Sequence, residues 1–316
     1  MFRGLLFAIG ACFVWGLIFV MPQYLVDFSP VEVVLGRYLT YGVLSLLLFF
    51  RAGTACFKRY TLKTWAIAFF FALLSNLFYY LGLVAGLRFA SPTLSVMIVG
   101  MAPILIALYG NWQVREIAYR DLAVPCLWIG FGFVLVNAVE IDWSFRATSL
   151  AQYAVGLLGI VIALLAWSWY AVHNARFLKR HTHIPGSEWT TVLGVATLAW
   201  TFVFGLFFAL VSHDLIHPSL LLKLSPAMLR YWGGVTILGV ICSWVGCFLW
   251  SRASVYLPVS LMGPLLIFET LFGLLFVFAF QKNMPSWIEL SGVAAMIIGI
   301  LMSIFAFRKK AAQPHP

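Results

Sequence analysis

The chain reads as an all-α polytopic membrane protein, ten transmembrane helices forming two five-helix repeats of inverted topology. Three observations predict this. Of the 316 residues, 63% are hydrophobic and only 9% charged, too little polar surface for a water-soluble fold. The apolar residues fall into blocks of about 20, the length a helix needs to cross ~30 Å of hydrocarbon. Short motifs also recur in the same order in the two halves of the chain.

The predicted spans run over residues 4–22, 30–50, 64–85, 91–110, 122–139, 151–176, 188–211, 229–250, 257–279 and 286–307. Span 1 begins like a secretory signal, with Arg3 and then an apolar stretch. Its apolar run continues through Trp15 to Val20, too long for a signal's short core, so it is expected to be a retained helix. Span 2 is entered through Ser29-Pro30, span 3 opens at Trp65, and span 4 is entered by "LRFASPT" (87–93). Span 5 closes the first half. Span 6 carries "WSWYAV" (167–172), span 8 has Trp232 near its start, and "SVYLPVS" (254–260) enters span 9. Trp65, Trp143, Trp189, Trp232 and Trp287 fall at span edges, as an aromatic belt at the membrane interface would place them. The connections are too short to hold a soluble domain.

With the N-terminus in the cytoplasm, the inner loops and ends carry 14 of the 20 Lys and Arg residues, and the outer loops five: Arg88, Arg146, Lys223, Arg230 and Lys282. Arg37 lies within a span. The positive-inside rule then puts both termini in the cytoplasm. The same placement explains the net charge of +10 without nucleic acid, because no basic patch interleaved with aromatics occurs on a soluble segment. Cys12, Cys56, Cys126, Cys242 and Cys247 form no C-x-x-C pair, so neither a disulfide framework nor a metal site is expected. His181, His183, His213, His217 and His315 read as solvated. No cofactor is called for.

The repeat rests on "WGLIFV" (15–20) against "WSWYAV" in span 6, on the entries to spans 4 and 9, and on Trp65 against Trp232. It divides the chain into residues 1–145 and 146–316. Five spans is an odd number, so the second copy enters the membrane from the opposite side. Inverted repeats of this kind build secondary transporters, with a substrate site near the midplane between the halves.

The sequence resembles the EamA-type branch of the drug/metabolite transporter superfamily over its whole length. The motifs are "WGLIFV", "SPVEVVLGRYL" (29–39), "WSWYAV", "SPTLSVMIVGMAPILIAL" (91–108) and "LPVSLMGPLLIFETLFGLL" (257–275). The resemblance implies ten helices in two inverted five-helix repeats. It departs at the Glu-Pro pair the family often carries, since span 4 has Ala102-Pro103 and span 9 has Glu269-Thr270.

Glu269 is the one carboxylate deep in a span. An ionised side chain at mid-bilayer costs at least ~2.5–3.5 kcal/mol, so it should face a cavity or a partner. Two roles fit: a substrate-cavity residue that exchanges a proton during transport, or a protonated polar pin between helices. Arg37, ~10 Å inside span 2, reads either as an anion-attracting group at the outer mouth, acting with Tyr41 one turn deeper, or as a headgroup anchor or ion-pair partner of Glu32. Asn76, Tyr79 and Tyr80, at i, i+3 and i+4, should share an inward face that lines the cavity or bonds a neighbouring helix. Trp167, Tyr170 and Asn174 form a stripe on span 6, with Trp169 and His173 on the next stripe, and Trp15 is the repeat counterpart of Trp167 on the opposite cavity wall. Gly100, Pro103, Gly263 and Pro264 mark hinges or close helix packing in spans 4 and 9.

No H-E-x-x-H, G-x-S-x-G or Walker A motif is present, so the expectation is not an enzyme but a carrier driven by a gradient. The substrate expected is a small polar or amphipathic metabolite, most simply an exported amino acid. Uptake or exchange of a nucleotide-like or adenosyl metabolite stays open, as does a non-transporting membrane component. The partners expected are the substrate and the bilayer, with a homodimer left open.

Overall fold

In a computed structural model of the chain, residues 1–51, 60–90, 92–138, 149–211, 225–282 and 284–311 are described. Cys56, Trp143, His213, His217 and His315, and the loop cations Lys58, Arg59, Arg146 and Lys223, lie outside them.

Among the described residues ten helices are long and apolar enough to cross a membrane: Phe2–Phe19, Pro30–Arg51, Leu62–Ala85, Leu94–Val114, Tyr119–Asn137, Leu150–Arg180, Gly186–Leu210, Pro226–Tyr256, Val259–Gln281 and Trp287–Lys310, spans 1 to 10 hereafter. All ten expected spans are present. Spans 6 and 8 overrun their expected ends most, because each helix continues into polar sequence that a hydropathy reading trims: Lys179 and Arg180 in one, Arg252 in the other.

Local chemistry sets the helix starts. Span 2 opens with a capping box, in which the Ser29 N–H donates to Glu32 Oε2 at 2.7 Å and the Glu32 N–H to Ser29 Oγ at 3.2 Å. Span 10 repeats the device with Ser286 and Glu289. Ser149 and Ser225 cap spans 6 and 8 through the N–H groups of Gln152 and Met228. Spans 4 and 9 end alike, each on a cation in the left-handed conformation: Arg115 (φ 52°) and Lys282 (φ 55°).

Span 1 packs on spans 8 and 9, and span 6 packs on spans 3 and 4. Span 2 packs on span 8, and span 7 on span 3. Spans 2 and 7, 4 and 9, and 5 and 10 pair directly. Exchanging spans 1–5 for spans 6–10 turns every one of these pairings into another or into itself, which supports the two-copy reading. At the crossing of spans 4 and 9 a Cβ on Gly263 would stand 2.3 Å from the Pro103 carbonyl oxygen, so only glycine admits this approach.

The helices are not uniform. Spans 3 and 8 each run as 11 residues of α-helix, Leu62–Ala72 and Pro226–Thr236, and then widen into a π-helical stretch, Leu73–Phe78 and Ile237–Val245. Span 4 is interrupted at Gly100–Met101, between helices Pro92–Val99 and Ala102–Val114. Span 9 runs unbroken through Pro264.

One aromatic expectation needs correcting. Trp189 is not at an interface: it is 0% exposed, stacked on Phe177 at 4.4 Å, with its indole N–H donating to Asn174 Oδ1 at 2.7 Å. Trp287, 86% exposed, does sit as a belt residue would.

Candidate functional site

The two deep charges of the membrane region, Arg37 and Glu269, lie within electrostatic reach of each other. Arg37 reaches from span 2 to the π-helical stretch of span 8, where its Nε–H donates to Ser243 Oγ at 2.9 Å. The Ser243 hydroxyl in turn donates to the Leu238 carbonyl at 3.0 Å. Its guanidinium lies 5.5 Å from the centre of the Tyr38 ring. Glu269, in the middle of span 9, feels the charge of Arg37, and both act on the Tyr79 hydroxyl of span 3. Among the described residues no ion pair joins Arg37 to Glu269.

Trp167 of span 6 lies 5.5 Å from Tyr79 and 5.5 Å from Tyr170, tilted against both. Among the described residues, no protein hydrogen bond engages the hydroxyls of Tyr38, Tyr79 and Tyr170, the indole N–H of Trp167 or the carboxyl of Glu269, and none of these is a fully buried group left unpartnered. Donors and acceptors left open beside two opposite charges are what a polar guest would engage. Cys12 flanks Glu269, its thiol donating to the Leu265 carbonyl one turn earlier at 3.4 Å. The Cys247 thiol lies within the electrostatic reach of Arg37.

Several expected site residues are engaged elsewhere. Asn76 donates to Thr197 Oγ1 of span 7 at 2.8 Å and, with Tyr80, lines a narrow cleft of about 20 Å³ between spans 2, 3 and 7. The Tyr80 hydroxyl is buried there without a partner. Tyr79 alone of the trio turns to the central interior, because the π-helical stretch winds less per residue and undoes the i, i+3, i+4 alignment. Asn174 is occupied by Trp189. The Tyr41 hydroxyl donates to the Thr190 carbonyl at 2.8 Å and ties span 2 to span 7. The Trp15 indole donates to the Cys242 carbonyl at 2.7 Å and packs 5.3 Å from Trp250, within the core rather than across a cavity from Trp167. Gly100 and Pro103 stand at the interruption of span 4; Gly263 and Pro264 stand in continuous helix facing it.

Ser243, Tyr38 and Cys247 join the site without having been foreseen. Ser243 had a signal: the 167-residue separation that relates Trp65 to Trp232 also relates Asn76 to Ser243. In each half this polar residue of the π-helical stretch bonds a helix of the other half.

The EamA-like transporter family matches residues 2–138, spans 1–5. Over 314 residues the chain is 31% identical to "Inner membrane protein YtfF" of Escherichia coli (strain K12), covering 98% of this chain and 97% of that protein. It is 23% identical over 290 residues to "Uncharacterized transporter YyaM" of Bacillus subtilis (strain 168), covering 90% of this chain and 88% of that one. A solved crystal structure has the same fold at a TM-score of 0.76 and 17% identity, over 97% of this chain and 98% of that chain. The ten spans, the charged interior between them and this full-length relative agree: the chain belongs to the EamA-like transporter family.

Proposed function

We propose that the protein is a secondary transporter of the bacterial inner membrane that exports a small polar or amphipathic metabolite of the amino-acid type. Residues 1–145 and 146–316 act as inverted halves that alternate access to the interior between them, with both termini in the cytoplasm. What supports this is that Arg37 and Glu269 act electrostatically on each other and on Tyr79 without a direct ion pair, and that Trp167 packs against Tyr79. A zwitterion complements both charges: its carboxylate suits the guanidinium and its ammonium the Glu269 carboxylate. The aromatic wall takes its side chain and adds cation–π attraction. Glu269 also gives the site a group that can take up or release a proton between the two orientations.

The test is flux into proteoliposomes, screened over amino acids, adenosyl compounds and cationic drugs. Amino-acid flux that disappears in Glu269→Gln supports the proposal. Flux of an adenosyl compound alone replaces the substrate with the nucleotide-like alternative, and no flux of any class over empty vesicles removes the transporter reading.

A further inference from the structure

On the face of the membrane that carries the chain termini, the near face, two carboxylates among the described residues join the halves: Glu188 of span 7 accepts the Tyr60 hydroxyl at 2.7 Å, and Glu116 reaches a helix end of the opposite half. The loop between spans 4 and 5 leaves Arg115 in the left-handed conformation and carries Glu116 across to the other half. There Glu116 Oε1 accepts the Val259 N–H at 2.9 Å and Oε2 accepts the Ser260 N–H at 2.7 Å. Span 9 has no cap of its own: the residue before its first turn is Pro258, which makes no side-chain capping bond. Its open N–H groups, and the positive end of its dipole, are met by a side chain from the opposite repeat. Lys179 at the end of span 6 stands 3.8 Å from Glu116 Oε1, and beside it Arg176 donates to Gln113 of span 4.

The loop is stiff. The Asn111 amide, 0% exposed, donates to the Ile117 carbonyl at 2.9 Å and accepts the Ile117 N–H at 3.0 Å, which fixes the residue next to Glu116. The carboxylate is therefore presented to span 9 by a braced segment, and its side chain is only 16% exposed.

The far face is built differently. Lys282 is the repeat counterpart of Arg115, 167 residues on and in the same left-handed conformation, but the residue after it is Asn283, which has no charge. Among the described residues the ion pair that joins the halves there, Asp27 with Arg230, is about half exposed on both sides, where such pairs contribute little, and beside it the Tyr231 hydroxyl donates to the Glu32 carbonyl at 2.7 Å.

We propose that Glu116 is the latch of the near-face gate. Its bonds to span 9 hold the transporter closed on the face of its termini, and their release opens the path to that face, leaving Glu116 with Lys179 alone. The inference rests on the alternating-access reading above, but its test needs no substrate, so the two fail separately. The reporter is Cys247, the one cysteine among the described residues that is not buried; Cys12, Cys126 and Cys242 are buried. In a Cys56→Ser background, right-side-out and inside-out membrane vesicles are treated with a membrane-impermeant maleimide. Glu116→Gln is expected to speed Cys247 alkylation from the near face by about tenfold and to slow it from the far face, since both of its charge-assisted hydrogen bonds to span 9 are weakened.

Val259→Pro tests the same bond from the other side. It removes one donor at the first helical position, where proline is tolerated, and should shift accessibility in the same direction by less. Glu289→Gln removes a comparable capping carboxylate that serves its own span and should leave both rates unchanged. Unchanged rates in Glu116→Gln, in protein that melts as the parent does, overturn the proposal. An equal shift in Glu289→Gln does so too, because the effect would then be loss of helix capping in general.

Discussion

Spans 4 and 9 occupy equivalent places and solve the midplane differently. Span 4 gives up helical continuity: it breaks at Gly100–Met101, and Pro103 lies in the first turn of the helix that follows, where its missing N–H costs no bond. Span 9 keeps its helix through Pro264 and instead carries Glu269, which the 167-residue separation aligns with Ala102. One half contributes a backbone interruption and the other a charge. On the two-copy reading the halves share a framework without sharing the chemistry, so a residue's role does not transfer between them by position alone.

This division can be broken in graded ways. The largest effect is expected from Glu269→Gln, which should lower flux in proteoliposomes by ~100-fold while the melting temperature stays close to the parent's, the loss falling on a charged interaction and not on packing. Moving the carboxylate to the other half, as Ala102→Glu in a Glu269→Ala protein, should not restore flux, because Ala102 is buried in the core; restored flux would show the two positions to be interchangeable. Next is Gly263→Ala. Its Cβ would fall 2.3 Å from a backbone oxygen of span 4, and neither backbone can yield without separating the helices. A loss of ~3 kcal/mol, read as a lowered denaturation midpoint, is expected.

Gly100→Ala should cost less, ~1–2 kcal/mol, because the clash is with the Phe133 ring, and Phe133→Leu should recover part of it. The smallest effect belongs to Pro264→Ala. The helix is already continuous there, so the restored N–H should change stability by less than ~1 kcal/mol in either direction. A large change would mean that span 9 depends on the freed carbonyl at Ser260, as span 4 depends on its break.

How much of this could be read beforehand follows from the range of the interactions. Span number and order were legible because hydrophobic blocks are a local property, and Glu269 was conspicuous because charge is rare in such blocks. Arg37 is conspicuous in the sequence, but its partner Ser243 is 206 residues away and marked there only by its 167-residue relation to Asn76. Asn76 and Tyr80 were assigned to the same face as Tyr79 on an α-helical period that span 3 does not keep. Glu116 carries no signal in the sequence, since a cap supplied from a distant loop leaves no mark at the helix it serves. Trp189 lay at a span edge in sequence, yet tertiary packing buries it beside Asn174.

The widened turn of span 3 also changes what length means in this helix. An α-helix advances ~100° per residue, and a π-helical stretch holds a surplus residue within a turn. Removing one residue from Leu73–Phe78 would therefore act less as a shortening than as a rotation. It would turn everything beyond by about a quarter of a circle and swing the Tyr79 hydroxyl away from the charges it now shares, with the helix itself intact. In span 3, register is an angular coordinate, and the chain stores one step of it.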